Sequence, residues 1–484
     1  MKSTAFTALT LLMSMLLASC GETAVGSQTE TSADTESEQM TETTESLELP
    51  SGLSFDDAEF TFLTQDPTKM TWANPQLDVE SETGDVLNDS IYRRNRAVEE
   101  LLKVRISGVE EEGYDNTAKN LILAGDDTYD IIQITDRTGL VYAQEGLIYS
   151  INDLKYVDLD KPWWSQTLNA ALSVGGKQYF AYGDYNLTTY DYTHVLVFNQ
   201  DVAAKHSLGN IYDLVFDGKW TYDTYSELTK KTTYDLNGDS KMDENDIYGL
   251  FSQPKHVLPC FWIAANVQSI NKEQDDIPVF DLDKNEKFQQ VIERIFGITW
   301  DNETWYFNQA GRNDDNSLTQ MFVSGHALMM DTSFFLISNL RDMDSDFGII
   351  PFPKYDESQA NYLSRVEGGM VTIIPKTNKK LEMTGAVLEA LAYESRETVI
   401  PAYYDIALKG KYARDPESVE MLDLIFAGRI YDLGDTYWCM TLRDGIFQDM
   451  FKANDRDYSS IIAGVKPKIE SEIQKTVEAF AQLK

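Results

Sequence analysis

A short acidic segment is the clearest candidate for metal binding in this sequence. The stretch DLNGDSKMDEND runs from Asp235 to Asp246. Oxygen donors stand at its first, third, fifth, seventh, ninth and twelfth positions, which is the spacing of an EF-hand calcium loop. The predicted ligands are Asp235, Asn237, Asp239, the backbone carbonyl of Lys241, Asp243 and Asp246.

This segment departs from the common EF-hand pattern in two ways. Gly238 stands at the fourth position rather than the sixth, and the last ligand is Asp246 rather than the longer Glu. The loop therefore looks more like the dockerin version of a calcium loop. Crowded carboxylates without a cation repel one another, so we expect a structural Ca²⁺, with a bare acidic turn as the alternative. The loop holds no His or Cys, which argues against transition-metal catalysis there.

Sequence motifs of catalysis are absent from the rest of the chain. The sequence holds no HExxH, no GxSxG and no phosphate-binding glycine loop. Its four histidines, His194, His206, His256 and His326, are scattered and are interpreted as structural residues. We therefore expect no enzyme activity. A secreted, calcium-stabilised glycoside hydrolase stays open as an alternative, because the spatial separation of two catalytic carboxylates is invisible in a sequence.

The N-terminal residues predict export. An uncharged, mostly apolar run from Ala5 to Leu17 is too short to remain as a membrane span, so residues 1–19 are predicted to be a signal peptide. The run ends in LASC, which resembles a bacterial lipobox and predicts lipidation of Cys20. An ordinary signal peptide beside a chance Cys is the alternative. Residues 20–54 are rich in Ser, Thr and Glu and are predicted to be a disordered tether.

The chain carries a formal net charge of −38, which makes nucleic acid a poor partner because long-range repulsion opposes binding. Beyond Cys20 there are two further cysteines, Cys260 and Cys439. Two isolated cysteines in apolar surroundings can be paired or free, and the sequence leaves both possibilities open.

The hydrophobic pattern from residue 55 onward predicts an α/β fold. EFTFLT, VRISGV and YDIIQI have the character of strands, and the segments between them have helical periodicity. Strand and helix in alternation predict a largely parallel sheet covered on both faces. A further strand is predicted in GGKQYFAYG and another in VLVFNQDV, ending at Asn199. Helical periodicity is clearest at the C-terminus, from Ile461 to Phe480.

Several segments resemble, in order, the extracellular solute-binding proteins of ABC importers, in the group that includes the maltodextrin-binding proteins. The segments are YDIIQITDRTGLVYAQEGLIYSI, VLVFNQDV, GKWTYDTYSELTKKTTYDLNGDSKMDENDIYGL, MFVSGHALMMDTSFF and DFGIIPFPK. The resemblance implies two α/β lobes joined by a hinge, each discontinuous in sequence. The first lobe would comprise residues 55–187 plus 350–400, and the second residues 188–349 plus 401–484.

Loops after strands supply the candidate ligand contacts, because ligands of open α/β sheets bind beyond the carboxyl ends of strands. This rule selects Asp136 and Arg137, then Asp184 and Tyr185, and then Asp331. The resemblance also points to the Asp-Arg pair as a contact to sugar hydroxyls. A surface ion pair at a strand end is the alternative for that pair.

Other candidates rest on aromatic stacking and on glycine. By resemblance, Trp438 falls where the family places a stacking aromatic, and Phe334 and Phe335 fall near another. Glu367 is a candidate because the two glycines after it allow close approach to a ligand. Five tryptophans have weaker claims, since large aromatics also fill cores. They are Trp163, Trp164, Trp262, Trp300 and Trp305.

Together these features predict a monomeric lipoprotein that binds a sugar or oligosaccharide between two lobes and delivers it to the transmembrane subunits of an ABC permease. The predicted location is the outer face of the cell membrane. A binding protein of the same fold for peptides or another small solute stays open, because no segment identifies the ligand.

Overall fold

The computed structural model of the protein describes residues 45–69, 77–307, 314–340, 343–404 and 414–482. The predicted signal peptide and the predicted lipidation site at Cys20 lie outside the described residues. Residues 46–54, at the end of the predicted tether, contain no helix or strand. Leu47, Leu49 and Leu53 nevertheless pack against a buried cluster of the body, so this part of the tether is attached to it.

The described residues contain twelve strands. They are β1 Ala58–Gln65, β2 Val104–Glu111, β3 Ile131–Thr135, β4 His194–Asn199, β5 Tyr248–Phe251, β6 Asn271–Lys272, β7 Pro278–Val279, β8 Ala327–Ser333, β9 Phe347–Ile350, β10 Ser364–Arg365, β11 Met370–Ile373 and β12 Arg429–Ile430.

The α-helices of the same residues lie between and after these strands. They are α1 Val86–Leu102, α2 Tyr114–Ala124, α3 Asp136–Gln144, α4 Gln166–Leu172, α5 Thr188–Asp191, α6 Gln200–Lys205, α7 Ile211–Phe216, α8 Tyr222–Thr232, α9 Pro254–Ala264, α10 Glu286–Phe296, α11 Asp315–Val323, α12 Phe334–Ile337, α13 Leu381–Glu394, α14 Ile400–Ala402, α15 Pro416–Ala427, α16 Gln448–Lys452 and α17 Tyr458–Gln482. Short 3₁₀ or π turns lie at Ile151–Asp153, Gly297–Asp301, Ser338–Leu340, Ser395–Val399 and Leu442–Phe447.

The first four-stranded sheet has the order β11-β3-β1-β2. Strand β1 pairs in parallel with β2 and β3, which confirms the predicted alternation of strand and helix. Strand β11 enters from a distant part of the chain and pairs antiparallel to β3, with Met370 opposite Thr135. The start of β11 therefore lies beside the carboxyl end of β3, so the residues just before β11 are neighbours of Asp136.

The second four-stranded sheet has the order β5-β8-β4-β9. Strand β4 pairs antiparallel to both β8 and β9, and β8 pairs in parallel with β5. His194, the first residue of β4, stands opposite Ser333, the last residue of β8. The start of β4 and the carboxyl end of β8 therefore lie at the same end of this sheet.

Local signals fix several of the helices. Helix α1 begins where the Asp85 carboxylate accepts hydrogen bonds from the backbone N–H groups of Leu87 and Asn88, and it ends at Lys103 in a left-handed conformation. The C-terminal helix α17 buries Ile462, Ile469 and other members of the predicted apolar face. The mixed α/β fold class predicted from these patterns is confirmed.

One predicted strand is wrong. Residues 177–182, all described, form single bridges to other segments instead of a continuous strand. The reason is that the backbone groups of this segment find their hydrogen-bond partners in loops. Asn169 bonds both to the backbone N–H and to the carbonyl of Tyr182, and the Asp184 N–H donates to the carbonyl of Trp163, so this segment is held by loops rather than by a neighbouring strand. Residues 46–484 group into one compact unit, and the limits of the two predicted lobes stay a prediction.

Candidate functional site

A cavity of about 580 Å³ is lined by residues at the strand ends of both four-stranded sheets. From the first sheet come Thr135 at the end of β3, then Asp136 and Arg137 at the start of α3. From the second come His194 at the start of β4 and Ser333 at the end of β8. Of the five residues selected by the rule that ligands bind beyond strand ends, Asp136 and Arg137 line this cavity.

Asp136 and Arg137 occupy one wall of the cavity in different ways. The Asp136 side chain is buried, accepts a hydrogen bond from the Tyr431 hydroxyl, and accepts another from the Arg137 backbone N–H at 2.7 Å. Burial raises the pKa of Asp136 above its ordinary value, although the hydrogen bond from Tyr431 acts to lower that pKa. The Arg137 side chain is exposed, with Nη1 3.7 Å from the Met440 sulfur. It is available to donate to a ligand.

Two glycines bring the backbone close to Asp136. Gly368 has a φ of +72°, and a Cβ at this position would come within 2.9 Å of Asp136 Oδ2. Gly369 follows, and its carbonyl accepts the Asp136 backbone N–H at 3.1 Å. Glycine is required at position 368 because any side chain would meet this carboxylate in a conformation that L-residues rarely adopt.

Glu367, the third of the predicted residues in the cavity lining, lies among cationic groups. Its carboxylate oxygens lie 3.3 Å from Arg443 Nη1, 3.5 Å from Arg365 Nη2 and 3.6 Å from Lys255 Nζ. Burial disfavours the charged form, but His256, Arg365 and Lys255 outweigh it and hold the pKa of Glu367 well below its ordinary range. Glu367 is therefore an ionised acceptor at neutral pH.

The floor of the cavity holds two histidines that are far apart in the sequence. The rings of His194 and His256 meet edge to face with centroids 4.8 Å apart. Nδ1 of His194 lies 2.7 Å from Asp331 Oδ1, and Nδ1 of His256 lies 3.5 Å from Asp331 Oδ2. On the opposite edges, Nε2 of each ring lies 3.1 Å from Oε2 of Glu367. The two rings are thus flanked by one carboxylate on each side.

Asp331, predicted as a ligand contact, lies beneath this floor rather than in the cavity lining. Burial disfavours its charged form, but His194 and His256 hold the pKa of Asp331 below its ordinary value. Ser252 also donates its hydroxyl to Oδ2 at 2.8 Å. Asp331 therefore orients the two imidazoles.

Two buried arginines extend the polar network of the floor, and Arg443 also lines the cavity. Arg365 makes a bidentate pair with Asp435, at 2.6 and 2.9 Å, and directs Nη1 to Nε2 of His194 at 3.0 Å. Nε2 of His194 also lies 3.1 Å from Glu367 Oε2, so the same nitrogen faces a guanidinium donor and a carboxylate acceptor. Arg443 pairs with Asp444 at 2.7 Å through Nε.

One aromatic wall of the cavity is formed by Tyr192 and Phe335. Their rings stack with centroids 6.3 Å apart and an interplanar angle of 22°. Of the two phenylalanines predicted by resemblance, Phe335 therefore lines the cavity, whereas Phe334 is buried and packs on Phe426. Neighbouring side chains at a helix start face in different directions, which separates these two residues.

Other predicted contacts lie outside the cavity lining. Tyr185 is fully buried and donates its hydroxyl to Thr372 at 2.8 Å. Asp184 is buried and faces Arg396, at 3.3 Å. Trp262 and Trp438 are both buried, and Trp262 donates its ring N–H to a carboxylate. Trp163, Trp164, Trp300 and Trp305 also lie outside the lining, with their ring N–H groups donating to buried acceptors.

The acidic loop at residues 235–246 folds as a series of tight turns. Asp235 accepts the backbone N–H groups of Gly238 and Ser240, at 2.6 and 2.7 Å. Asp246 is fully buried and accepts those of Leu236 and Asp243, each at 2.8 Å. Within the described chain, the side chains close enough to share a metal are His194, His256 and Asp331, rather than the carboxylates of this loop. Calcium binding by the loop stays a prediction.

The two cysteines of the folded body, Cys260 and Cys439, are both free and buried. Cys260 Sγ lies 3.8 Å from Asp331 Oδ1, and burial raises the pKa of its thiol. The choice that the sequence left open between paired and free cysteines is settled as free.

Residues 97–395, more than half of the chain, match the family described as bacterial extracellular solute-binding protein. The chain belongs to this family. The resemblance inferred from the ordered segments is thereby confirmed, and the family's members are binding proteins that work outside the cytoplasm. No curated protein matches the sequence of this solute-binding protein.

Solved structures with the same two-lobe architecture are similar over most of their length. A sugar transporter from Rhizobium etli in an open conformation has a TM-score of 0.58 at 14% identity, covering 88% of this solute-binding protein and 100% of that chain. A family 1 extracellular solute-binding protein from Bifidobacterium longum subsp. infantis has a TM-score of 0.56 at 14% identity, covering 86% and 100%. An ABC substrate-binding protein from Listeria monocytogenes in complex with cycloalternan has a TM-score of 0.54 at 13% identity, covering 87% and 100%.

No helix among the described residues of this solute-binding protein is long and apolar enough to cross a membrane.

Proposed function

We propose that this solute-binding protein captures a sugar or oligosaccharide in the cavity and delivers it, unaltered, to an ABC permease. The observation that carries the proposal is one cavity with a stacked aromatic wall, Tyr192 and Phe335, facing charged donors and acceptors. Its volume of about 580 Å³ falls within the range of about 300–1,000 Å³ that is usual for small-molecule sites.

The chemistry of a sugar matches both kinds of surface. The apolar C–H face of a pyranose ring packs on aromatic rings, so Tyr192 and Phe335 are proposed as the stacking platform. Hydroxyl groups both donate and accept, so Arg137 is proposed as a donor and Glu367 as an acceptor. A peptide or another small solute is the alternative ligand, since the same groups can bind other polar molecules.

Two proteins of this fold support a carbohydrate ligand. The Listeria monocytogenes protein is in complex with cycloalternan, and a cyclo/maltodextrin-binding protein is in complex with maltotetraose. At 13 and 14% identity these likenesses concern the fold, so the ligand class is part of the proposal.

Glycoside hydrolysis is the alternative function, and the cavity carboxylates give it a specific argument. Burial raises the pKa of Asp136, as a general acid requires, whereas surrounding cations keep Glu367 ionised, as a nucleophile requires. Against it, Asp136 already accepts the hydroxyl of Tyr431, and Glu367 is held among cationic side chains.

A panel of oligosaccharides separates the two functions. The melting temperature of the protein is measured with each sugar, and the same mixtures are assayed for newly formed reducing ends. A rise in melting temperature without new reducing ends supports the binding protein, because a ligand that binds only the folded state stabilises it. New reducing ends that appear with time support the hydrolase instead.

Delivery requires that the protein stays near a membrane and changes shape. We propose that lipidation of Cys20 anchors a monomer to the outer face of the cell membrane, and that a bound ligand favours closure of two lobes. Cell fractionation of the wild type and a Cys20→Ala variant tests the anchor. If the anchor exists, the variant is released into the soluble fraction.

Small-angle scattering with and without ligand tests closure of the lobes. If the lobes close, the radius of gyration is smaller with ligand.

We also propose that the acidic loop holds a structural Ca²⁺. Each of its carboxylates keeps lone pairs beyond those that accept backbone N–H groups, and Asp246 directly precedes the segment that leads into β5. Calcium would therefore clip the end of α8 to β5.

A further inference from the structure

We propose that the ligand is an acidic sugar, a uronic acid or an oligosaccharide that contains one, whose carboxylate is bound by the guanidinium of Arg137, with Lys255 as a second cation in the same cavity lining. This inference rests on the proposed function and assigns a charge to its sugar. Arg137 is the second residue of α3, after β3 of the first sheet, and Lys255 is the second residue of α9, after β5 of the second sheet. The two cations therefore reach the cavity from different sheets.

Arg137 carries donors that the protein does not use. Its side chain is exposed and lines the cavity, and its guanidinium forms no ion pair with a described residue. Its contact within the described chain is with the Met440 sulfur, 3.7 Å from Nη1, and a thioether sulfur is only a weak acceptor. A guanidinium matches a carboxylate through two parallel hydrogen bonds, so an acidic sugar would satisfy these donors better than hydroxyls alone.

Lys255 supplies a second positive charge that is only partly compensated. Its Nζ lies 3.6 Å from Glu367 Oε1, which is longer than a hydrogen bond, and it donates no hydrogen bond to the described part of the chain. Its side chain is about 33% exposed. The ammonium group is therefore free to turn toward a negatively charged ligand.

Most acidic side chains of the lining are already matched by internal donors. Both oxygens of Asp435 accept hydrogen bonds from Arg365. Both oxygens of Asp444 accept from Arg443 in the same way. Glu367 lies within 3.6 Å of three cationic side chains, as described above. These three carboxylates therefore do not offer their charge to a ligand.

The other two acids of the lining are also partly compensated. Asp136 accepts the Tyr431 hydroxyl and the backbone N–H of Arg137, and burial raises its pKa, which disfavours the charged form. Asp315 is the first residue of α11, where the partial positive charge of a helix N-terminus offsets a carboxylate. The charged groups of the lining with the most unused hydrogen-bonding capacity are thus cations.

The overall charge of the protein limits how many negative charges the ligand can carry. The net charge of −38 repels a polyanion at long range. Salt screens such repulsion beyond about 8 Å at physiological ionic strength, so one carboxylate inside the cavity responds mainly to nearby groups such as Arg137. A singly charged carboxylate therefore fits better than a phosphate group, which carries about 1.5–2 negative charges at neutral pH.

Calorimetric titration with matched sugars tests the proposal. The probes are disaccharides of glucuronic, galacturonic and mannuronic acid, the neutral methyl ester of each, and sulfated and neutral disaccharides of the same length. At least one acid should bind, and its methyl ester should bind about tenfold more weakly or worse, because a hydrogen bond to a charged group is stronger than one to a neutral group.

The variant Arg137→Gln assigns the effect to a residue. It should weaken binding of the acid more than binding of the methyl ester, so that the ratio of their affinities falls toward one. Arg105→Gln is the matched control, because Arg105 is an exposed arginine on β2 outside the cavity lining, and it should keep the wild-type ratio. Circular dichroism shows whether each variant folds, and Lys255→Gln, which should also lower the ratio, provides a second variant.

Each other outcome overturns the proposal. A methyl ester that binds as tightly as its acid contradicts an acidic sugar, and so does binding of neutral or sulfated disaccharides without binding of any uronic acid. Binding of neutral disaccharides alone leaves the proposed function standing, whereas no binding of any sugar overturns both. An unchanged ratio in folded Arg137→Gln shows that another group recognises the carboxylate.

Discussion

Gly368 and Asp136 lie so close together that a single added carbon at position 368 would come within 2.9 Å of the Asp136 carboxylate. Gly368 also has a left-handed φ of +72°. This contact joins the segment before β11 to the start of α3, which are two of the cavity walls. The position of Asp136 in the cavity therefore depends on a glycine more than 200 residues away in the sequence.

Gly368→Ala is expected to destabilise the protein by about 2–3 kcal/mol, through the cost of a left-handed φ and displacement of Asp136. Gly125→Ala is the matched control, because Gly125 has a φ of +78° with nothing within 4 Å of the added Cβ. It should cost only about 1 kcal/mol, from the left-handed φ alone. Urea denaturation measures both. Equal losses in the two variants would mean that the contact with Asp136 contributes nothing.

Arg137→Ala is expected to weaken binding of the cognate sugar by about tenfold or more, because a charged donor to a ligand hydroxyl contributes about 1.5–3 kcal/mol. Arg105→Ala is the control, since Arg105 is an exposed arginine on β2 whose ion pair with Glu59 lies at 3.6 Å, outside the cavity. Calorimetry measures the dissociation constants. An unchanged constant in Arg137→Ala would remove this residue from the site.

Asp184 predicts a pH dependence of stability. Burial raises the pKa of this carboxyl to about 6, above the ordinary 3.8, although Arg396 opposes the shift. The folded state therefore binds a proton that the unfolded state releases, and stability rises as the pH falls from about 7 to about 4. The full difference corresponds to about 3 kcal/mol.

Asp184→Asn removes this titration without removing the side-chain volume. The gain in free energy of unfolding between pH 7.5 and pH 5 should be smaller in the variant than in the wild type. Denaturant melts at the two pH values measure it. A variant whose stability changes with pH as steeply as that of the wild type would show that Asp184 does not titrate in this range.

Removal of calcium is expected to lower the melting temperature. At a free Ca²⁺ concentration about 100 times the dissociation constant, one site stabilises the folded state by about 2.7 kcal/mol. Scanning calorimetry with Ca²⁺ and then with excess chelator measures the effect, and Asp235→Asn should reduce it. Asp217→Asn, at an exposed carboxylate outside the loop, is the control. An identical melting temperature in both buffers would indicate a metal-free turn.

The sequence was sufficient for the parts of the fold that depend on local pattern and chain direction. The alternation of β1, α1, β2, α2 and β3 followed from periodicity. Asp136 and Arg137 followed from the rule about strand ends, which needs only the strand and its direction. Glu367 followed from the glycines beside it. All three line the cavity.

The rest of the site is built by tertiary contacts that no local pattern reveals. His194 and His256 were interpreted as separate structural residues, yet pairing of β4 with β8 and the position of α9 bring them together over Asp331. The aromatic predictions were less successful, since Tyr185 and Trp262 are buried in cores. A large aromatic side chain serves a core as well as a ligand, so its type alone does not distinguish the two.

The central claim is that the cavity binds a carbohydrate on the stacked pair of Tyr192 and Phe335 and leaves it chemically unaltered. The most direct test titrates the best sugar of the panel into the wild type and into the double variant Tyr192→Ala, Phe335→Ala, and then recovers the sugar for mass analysis. The account predicts one saturable site in the wild type and a recovered sugar of unchanged mass. It predicts binding weaker by about 100-fold or more in the double variant, because burial of each ring contributes about 1.5–3 kcal/mol. Equal affinity in the two proteins, or a cleaved sugar, would contradict it.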